Sequence, residues 1–581
     1  MSAGAMAWYG TAEPPLPRHA LRAGDLTAVL EEGALRTIRW RGVEVVRGIG
    51  FVVRDTGWGT LAPQITGLVT TETLDGFIVR YAATCGGPDG TFAYRASIEG
   101  DARGRLHFAA EGTPIGGAVA TNRVGFVVLH AIAGVAGSPL VVTHGDGTTT
   151  RTRFPSLIAP HQPASDIAGL SHVTPAGVGV VLRFEGDTFE MEDQRNWGDA
   201  SFKTYCRPLA KGFPYSIPAG AMIRQAVDLH ITGTPAPAVR QEASSGSFRM
   251  PGIALAMDAT DATDALAVAA AVREIGVSRI LVRIDPRAVD ITAASIDIAA
   301  CAVALGTAVT LELVCPGVDP VSELAAFAMP LAASGLLFDE VMPIPLRDFS
   351  SRPTGTPAGQ ANARAIADAA RLVFPGRRIV GGGPGSFTEF NRNPPAAEFV
   401  DSVQSAFCAI VHAADDHSVI ETLESLGDIG ASMAALAPGA ARRIATATIA
   451  MRDSMDAPAP LPNPSRRRVP RAERDPRHFA AFGAAWAVAF AMRAGAAGID
   501  LVAPATITGR LGLFDRDGGR LPLFHAVHAL AAWSGMAVTR LSPDAGRHTV
   551  SAAGRTLIAN LGPDQNGSLA PFAILDTSSS P

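Results

Sequence analysis

Up to Thr234 the apolar positions fall in short runs such as LHFAAEG, VGFVVLHAI, PLVVTH and GVGVVLRFEG, with Gly, Pro or Asp between them. β-branched and aromatic residues in runs of strand length, separated by turn formers, predict an antiparallel β-sandwich over residues 1–235. Periodicity lapses between Thr232 and Phe248 as Pro, Ala and Ser accumulate, which predicts a linker over 236–250. From Pro251 apolar strands alternate with Ala-rich helical stretches. The predicted strands are 253–257, 279–284, 309–314, 340–345, 377–382, 408–413, 443–451 and 498–503, the last followed by helical PLFHAVHALAAWSG. Eight strands at that spacing predict a (β/α)8 barrel of TIM type over 251–540. A doubly wound open sheet is the rival arrangement, but MDATDATD stands after the first strand where a GxGxxG turn would be needed. Strand-like runs return at HTVSAAG, RTLIANLG and APFAILD. They predict a C-terminal β appendage over 541–581, packed on the sandwich or standing alone, with a frayed tail.

Composition narrows the function classes. At 581 residues and 47% apolar, the chain can bury more than one core, because single cores stop growing near roughly 250–300 residues. A net charge of −5 creates no field that would gather nucleic acid or anionic lipid, so neither is an expected partner. The opening MSAGAMAWYGTAEPP lacks the basic and apolar segments of an export signal. The most apolar run, Phe479 to Met492, is shorter than the roughly 20 residues that cross a bilayer and predicts a buried helix. Five scattered cysteines (Cys85, Cys206, Cys301, Cys315, Cys408) without a CxxC pair fit reduced core thiols, and with the preceding points lead to a cytoplasmic protein.

Polarity is concentrated in EMEDQRNWGDASFKTY, Glu190 to Tyr205, in a chain that is only 18% charged. Glu192, Asp193, Asn196, Trp197, Lys203 and Tyr205 have the composition of a sugar-facing wall: carboxylates and an amide to grip hydroxyls and an indole to cover a ring. The plain alternative is a ribbon that seals an interface with salt bridges. Barrel enzymes carry their chemistry at the C-terminal ends of strands. The loop after the fifth predicted strand, GGGPGSFTEFNRNPP, brings Glu389, Asn391 and Arg392. The loop after the sixth, VHAADDHSVIETLES, brings His412, Asp415, Asp416 and His417. Two carboxylates in one cavity would separate into an acid and a base. Asp415 or Asp416 is equally suited to capping the helix that begins near Ser418. Arg283 and Glu312 are charges inside apolar strands and are expected to pair across neighbouring strands in support of the site. The Arg-rich stretch Ser454 to Phe479 is read as a flap, with anion binding as the functional alternative. The cluster His412, Asp415, Asp416 and His417 also invites a divalent metal, but no strand end offers a convincing metal-binding histidine set, so the expectation is no cofactor, with a divalent metal as the alternative.

Four stretches together, FEGDTFEMEDQRNWGDASFKTYCRPL, GSFTEFNRNPP, IVHAADDHSVIETLESL and DPRHFAAFGAAWAV, resemble the D-apionate lactonase family, and the likeness runs from about residue 121 to Trp486. The resemblance implies a carboxylic ester hydrolase acting on a small-molecule sugar lactone, D-apionolactone, in branched-pentose catabolism. The accompanying mechanistic expectation has Glu389 or Asp415 as general base and Asn391, Arg392 or His412 steadying the oxyanion. Glu192 or Asp416 would protonate the leaving hydroxyl. Two other functions fit the architecture: a glycoside hydrolase acting on a furanoside, and a non-catalytic carbohydrate-binding protein. Against the first, no Glu ends the fourth or seventh strand, and only Asp348 and Asp453 follow a little beyond.

Overall fold

Apolar runs bounded by Gly or Pro become parallel strands when helices cover their outer face and neighbouring strands fill the inner one. In the computed structural model, which describes residues 3–236, 246–350, 359, 361–455, 457, 459–544, 546–562 and 570–578, eight such strands close into a parallel barrel. Barrel strands one to eight are Gly252–Asp258, Arg279–Ile284, Ala308–Cys315, Glu340–Pro345, Arg378–Gly382, Ser402–Cys408, Ala441–Thr448 and Leu501–Ala503.

The sixth strand corrects the sequence reading, which had it at 408–413. Its residues Gln404 and Ser405 are buried, and the Gln404 amide donates to Glu312 Oε1 at 2.9 Å. A strand that feeds polar groups into a barrel interior does not read as apolar. The apolar-looking CAIVHA begins on the last strand residue, so His412 lies in the loop beyond it.

Successive residues of a strand alternate between faces, so Arg279, Leu281 and Arg283 of strand two share the interior side. The barrel is accordingly filled by an apolar layer between two charged ones. At the N-terminal end Arg443 donates two hydrogen bonds to Glu340, each 2.7 Å, and Thr310 adds a third at 2.6 Å. Above them Leu281 packs with Ala254, Ala256, Ala445, Leu501 and Ala503. At the C-terminal end Arg283 meets Glu312 at 3.2 Å, and the two residues are register partners on adjacent strands. The run that starts at Phe479 forms the helix Ala481–Ala496 after a short 3-10 turn, and it is buried on nearly every side. Gly483 allows this, because a Cβ there would sit 2.3 Å from the Arg477 carbonyl oxygen.

The C-terminal strands Ala537–Asp544, Arg547–Ala552, Arg555–Asn560 and Ile574–Ser578 form their own antiparallel sheet, edged by Ser247–Arg249. The appendage thus begins before 541 and recruits part of the expected linker, while 237–245 and 579–581 lie outside the described residues.

The chain divides into two compact units. One holds Met1–Glu13, Asn196–Asp199 and Gln241–Pro581, the other Pro14–Arg195 and Ala200–Arg240. The first thirteen residues and one four-residue turn therefore leave the expected sandwich of 1–235. Among the described residues the second unit is a sixteen-stranded antiparallel sheet, together with a two-stranded sheet of Val119–Thr121 and Tyr215–Ile217, and its core includes Phe51, Phe92, Phe108 and Phe126. Alternation is plain in Gly76–Gly87, where Phe77, Val79, Tyr81, Ala83 and Cys85 all turn inward.

Two histidines are sealed in this core beside Phe154, with ring centroids 5.7 Å (His130) and 5.3 Å (His172) from it. Burial pushes His130 down to about 3, and His172 nearby adds to the effect. Burial alone pushes His172 down to about 4. The unfolded chain takes up protons first, so this stability is intact above about pH 6.5 and is lost as pH falls toward those values. Each histidine contributes about 1.4 kcal/mol per pH unit within that window. The thermal midpoint is expected to fall between pH 7 and pH 5, and to fall less in a His130→Gln/His172→Gln variant, as calorimetry at the two pH values would show.

Candidate active site

The polar hairpin of Phe189–Asp193 and Ser201–Tyr205 pairs Glu192 with Lys203 in register. A charge taken out of water must be matched by a partner and hydrogen bonds, and most of this polarity is committed in that way. Asp193 accepts from Arg195 Nε at 2.8 Å and Nη2 at 2.7 Å and from the Ala159 amide at 3.0 Å, and neither ion-paired side chain is exposed. Burial raises the Asp193 carboxyl against the opposing pull of Arg195. Lys203 lies 2.6 Å from Glu192; burial pushes its ammonium down to about 8 while Glu192 acts the other way. Tyr205 is wholly buried, with its hydroxyl donating to Glu190. The expectation that Glu192, Asp193, Lys203 and Tyr205 face a substrate is corrected: they hold the hairpin together from inside.

The turn of this hairpin is different. Asn196–Asp199 belongs to the barrel's compact unit. Gly198 has φ 88°, and a Cβ there would meet the Phe407 ring at 2.7 Å, so only glycine fits. Ser425 Oγ donates to its carbonyl at 2.9 Å. Anchored in this way, the turn delivers Asp199 Oδ2 to 2.7 Å from His412 Nδ1. A carboxylate can only accept, so Nδ1 carries a proton, and in the neutral imidazole the lone pair is then on Nε2. The Trp197 ring lies 5.5 Å from the His412 ring, edge to face, and the Arg392 guanidinium stands 5.4 Å from the Trp197 centroid. Asn391 Nδ2 donates to Asn196 Oδ1 at 2.9 Å, tying the loop after strand five to the same turn.

Glu389 and Arg392 sit on the short helix Phe387–Arg392. The preceding glycines permit it: Gly382 has φ 102°, and a Cβ on it would lie 2.1 Å from the Gln404 carbonyl oxygen. Glu389, Arg392, Asn393, Arg347 and Asp348 line a cavity of about 360 Å³ beside strands four and five. Burial pushes the Asp348 carboxyl up to about 6 despite the adjacent Arg347.

Two more expected catalytic residues are corrected. Asp415 is the N-cap of the helix Asp416–Glu421 and accepts from the Ser418 amide at 2.8 Å. Asp416 binds Arg468 Nε and Arg477 Nη1, both at 2.9 Å. These contacts pair two arginines of the Arg-rich stretch: Arg468 also donates its backbone amide to Glu13 at 2.7 Å, and Arg477 is paired with Asp475 as well. His417 pairs with Glu421 at 2.9 Å.

At the barrel mouth Arg283 makes two 3.0 Å hydrogen bonds to Asp453 besides its bond to Glu312. Arg452 donates to Asp258 at 2.9 Å. Asp199, Asp258, Arg452 and Asp453 were not singled out for the site from the sequence. A usable signal existed for three of them, since Asp258 ends strand one and Arg452 and Asp453 closely follow strand seven. Among the described residues no three His, Cys, Asp or Glu side chains gather as a metal site.

Comparison with known proteins gives residues 6–234 as a match to the family of D-apionate lactonase N-terminal domains. Residues 253–535 match the D-apionate lactonase TIM barrel domain. A Brucella anthropi protein named D-apionate lactonase is 38% identical over 545 residues, 91% of this chain and 89% of its own. Among solved structures, a β-arabinopyranosidase is similar over 96% of this chain and 91% of its own, at 8% identity and TM-score 0.32. A glycoside hydrolase family 30 xylanase from Clostridium acetobutylicum is similar over 55% and 83%, at 11% identity and TM-score 0.35.

Proposed function

The chain belongs to the D-apionate lactonase family, and on that premise we propose that it is a carboxylic ester hydrolase that opens D-apionolactone to D-apionate, with His412 as the general base. The observation that supports this assignment is the His412–Asp199 pair at 2.7 Å beside Trp197 and Arg392. An imidazole held by a carboxylate presents its other nitrogen as a proton acceptor, and the loops after strands five and six are where a barrel keeps its chemistry.

Water gives a proton to His412 Nε2 as its oxygen adds to the lactone carbonyl. The negative charge that develops on the carbonyl oxygen faces the Arg392 cation. Collapse breaks the bond from carbonyl carbon to ring oxygen, and the imidazolium returns its proton to that oxygen, leaving a free hydroxyl and a carboxylic acid. One residue thus serves as base and then acid, in place of the expected division between a base, Glu389 or Asp415, and an acid, Glu192 or Asp416. Trp197 covers the apolar face of the sugar ring, Asn196 and Asn391 hold the turn in register, and Glu389 forms a wall of the adjoining cavity. Five buried free thiols, with burial pushing Cys85 and Cys301 up to about 11, suit the reducing cytoplasm.

The test is acid release from purified D-apionolactone, followed with a pH indicator, in parallel with a panel of aryl furanosides. Lactone opening without release of the aryl alcohol is the expected result. Glycoside cleavage without lactone opening would overturn the proposal, as would tight sugar binding with neither reaction.

A further inference from the structure

A second cavity, of about 760 Å³, opens over the C-terminal ends of strands one, two, seven and eight, and none of the chemistry above uses it. Its size lies in the range of small-molecule sites. Asp258, Arg283, Arg452, Asp453 and Thr508 line it. Strands six and seven pair side by side, Cys408 with Thr448, so the chain leaves the barrel toward His412 and toward Asp453 from neighbouring positions.

The arginines of this cavity are already matched, Arg287 by Asp285 and Arg510 by Glu473. Arg283 is bound to Asp453 and Glu312, and Arg452 to Asp258. Burial alone would raise the Asp258 carboxyl, but Arg452 and Arg283 outweigh it and hold it below the usual value. Asp258 nevertheless keeps 39% of its side chain exposed, so its oxygens can accept from a ligand. Arg452, 7% exposed, has a buried Nε–H with no acceptor, and the Thr508 hydroxyl is likewise buried and unmatched. The wall therefore offers acceptors and donors at close quarters without a surplus of positive charge. Vicinal hydroxyls, which both donate and accept, suit such a wall. A carboxylate would have to compete with Asp258 and Asp453 for cations they already hold.

We propose that this mouth cavity is the polyol-binding subsite of the enzyme, that Asp258 and Thr508 grip the hydroxyl groups of the neutral sugar lactone, and that the cavity discriminates against the carboxylate product. The inference rests on the lactonase reading for the identity of the ligand, and its test separates the two. A hydroxylated γ-lactam, the corresponding aldonate and γ-butyrolactone are the probes. Calorimetric titration of the full chain is expected to show the lactam binding at least tenfold more tightly than the aldonate. Asp258→Asn should weaken lactam binding about tenfold, the size of a lost hydrogen bond to a charged group, and Thr508→Val roughly threefold. In kinetics, Asp258→Asn should raise KM for a hydroxylated lactone about tenfold more than KM for γ-butyrolactone, which has no hydroxyl to hold. Lactam binding unchanged in both variants, or an aldonate bound as tightly as the lactam, overturns the proposal. Should the wild type bind the lactam with these losses yet open no lactone, the subsite stands and the assigned activity falls. Should it open lactones with the lactam unbound, the reverse holds.

Discussion

Replacing His412 with asparagine is expected to lower kcat for D-apionolactone by about 10²–10⁴-fold, the usual contribution of a positioned general base, with KM changed much less. The split matters. A side chain whose role is proton transfer acts only in the transition state, so its loss appears in kcat and equally in kcat/KM, whereas loss of a ring-covering contact appears in KM. Trp197→Ala should therefore show the second pattern. Asp199→Asn keeps an acceptor at 2.7 Å from Nδ1 but removes the negative charge that stabilises the imidazolium, and its kcat should fall between those of His412→Asn and the wild type. Steady-state kinetics on the three variants, with thermal midpoints to show that each is folded, decides the matter. Wild-type kcat in His412→Asn would end the assignment.

The second large effect is on stability. Glu340 is 1% exposed and lies among Arg443, Arg279 and Arg378, at 2.7, 3.1 and 2.8 Å. Burial would raise its carboxyl, but Arg443, through hydrogen bonds and charge, outweighs burial and holds it below the usual carboxylate value, aided by Thr310 and Arg279. Glu340→Ala is expected to destabilise the barrel by roughly 3–5 kcal/mol, because the Arg443 charge remains buried without its counter-charge. The pair Glu340→Met/Arg443→Met should lose less than the single change, since no uncompensated charge is left behind at that contact. Urea unfolding of the two proteins makes the comparison. Equal losses would mean that the ion pair itself, rather than an abandoned charge, carries the stability.

Along the barrel, local pattern was a good guide wherever an apolar run marks the strand. Strand four, EVMPIP, lies where the apolar run put it, at Glu340–Pro345. Strand six, SVQSAFC, was misread, because Gln404 faces a polar interior that exists only once Glu312 is brought opposite. The same cause misdirected the site. Asp193, Glu192 and Lys203 looked like a ligand-binding wall because their composition is that of one, and nothing local revealed that each had a partner within the hairpin or beneath it. Asp416 looked catalytic beside His412 because Arg468 and Arg477, which neutralise it, lie 52 and 61 residues further along the chain.

By itself the sequence determined the order of the parts: a strand-rich first section, a barrel built on alternating strands and helices, strands again at the end, and a polar stretch at Glu190–Tyr205 unlike the rest of the chain. These follow from periodicity and turn formers, which act between near neighbours. Only the tertiary structure decided which polar side chains are consumed as internal ion pairs and which remain for chemistry. Asp199 reaches His412 across 213 residues, and Arg452 reaches Asp258 across 194. A charge's role depends on the counter-charge that folding brings within about 4 Å of it, and no local pattern encodes that meeting.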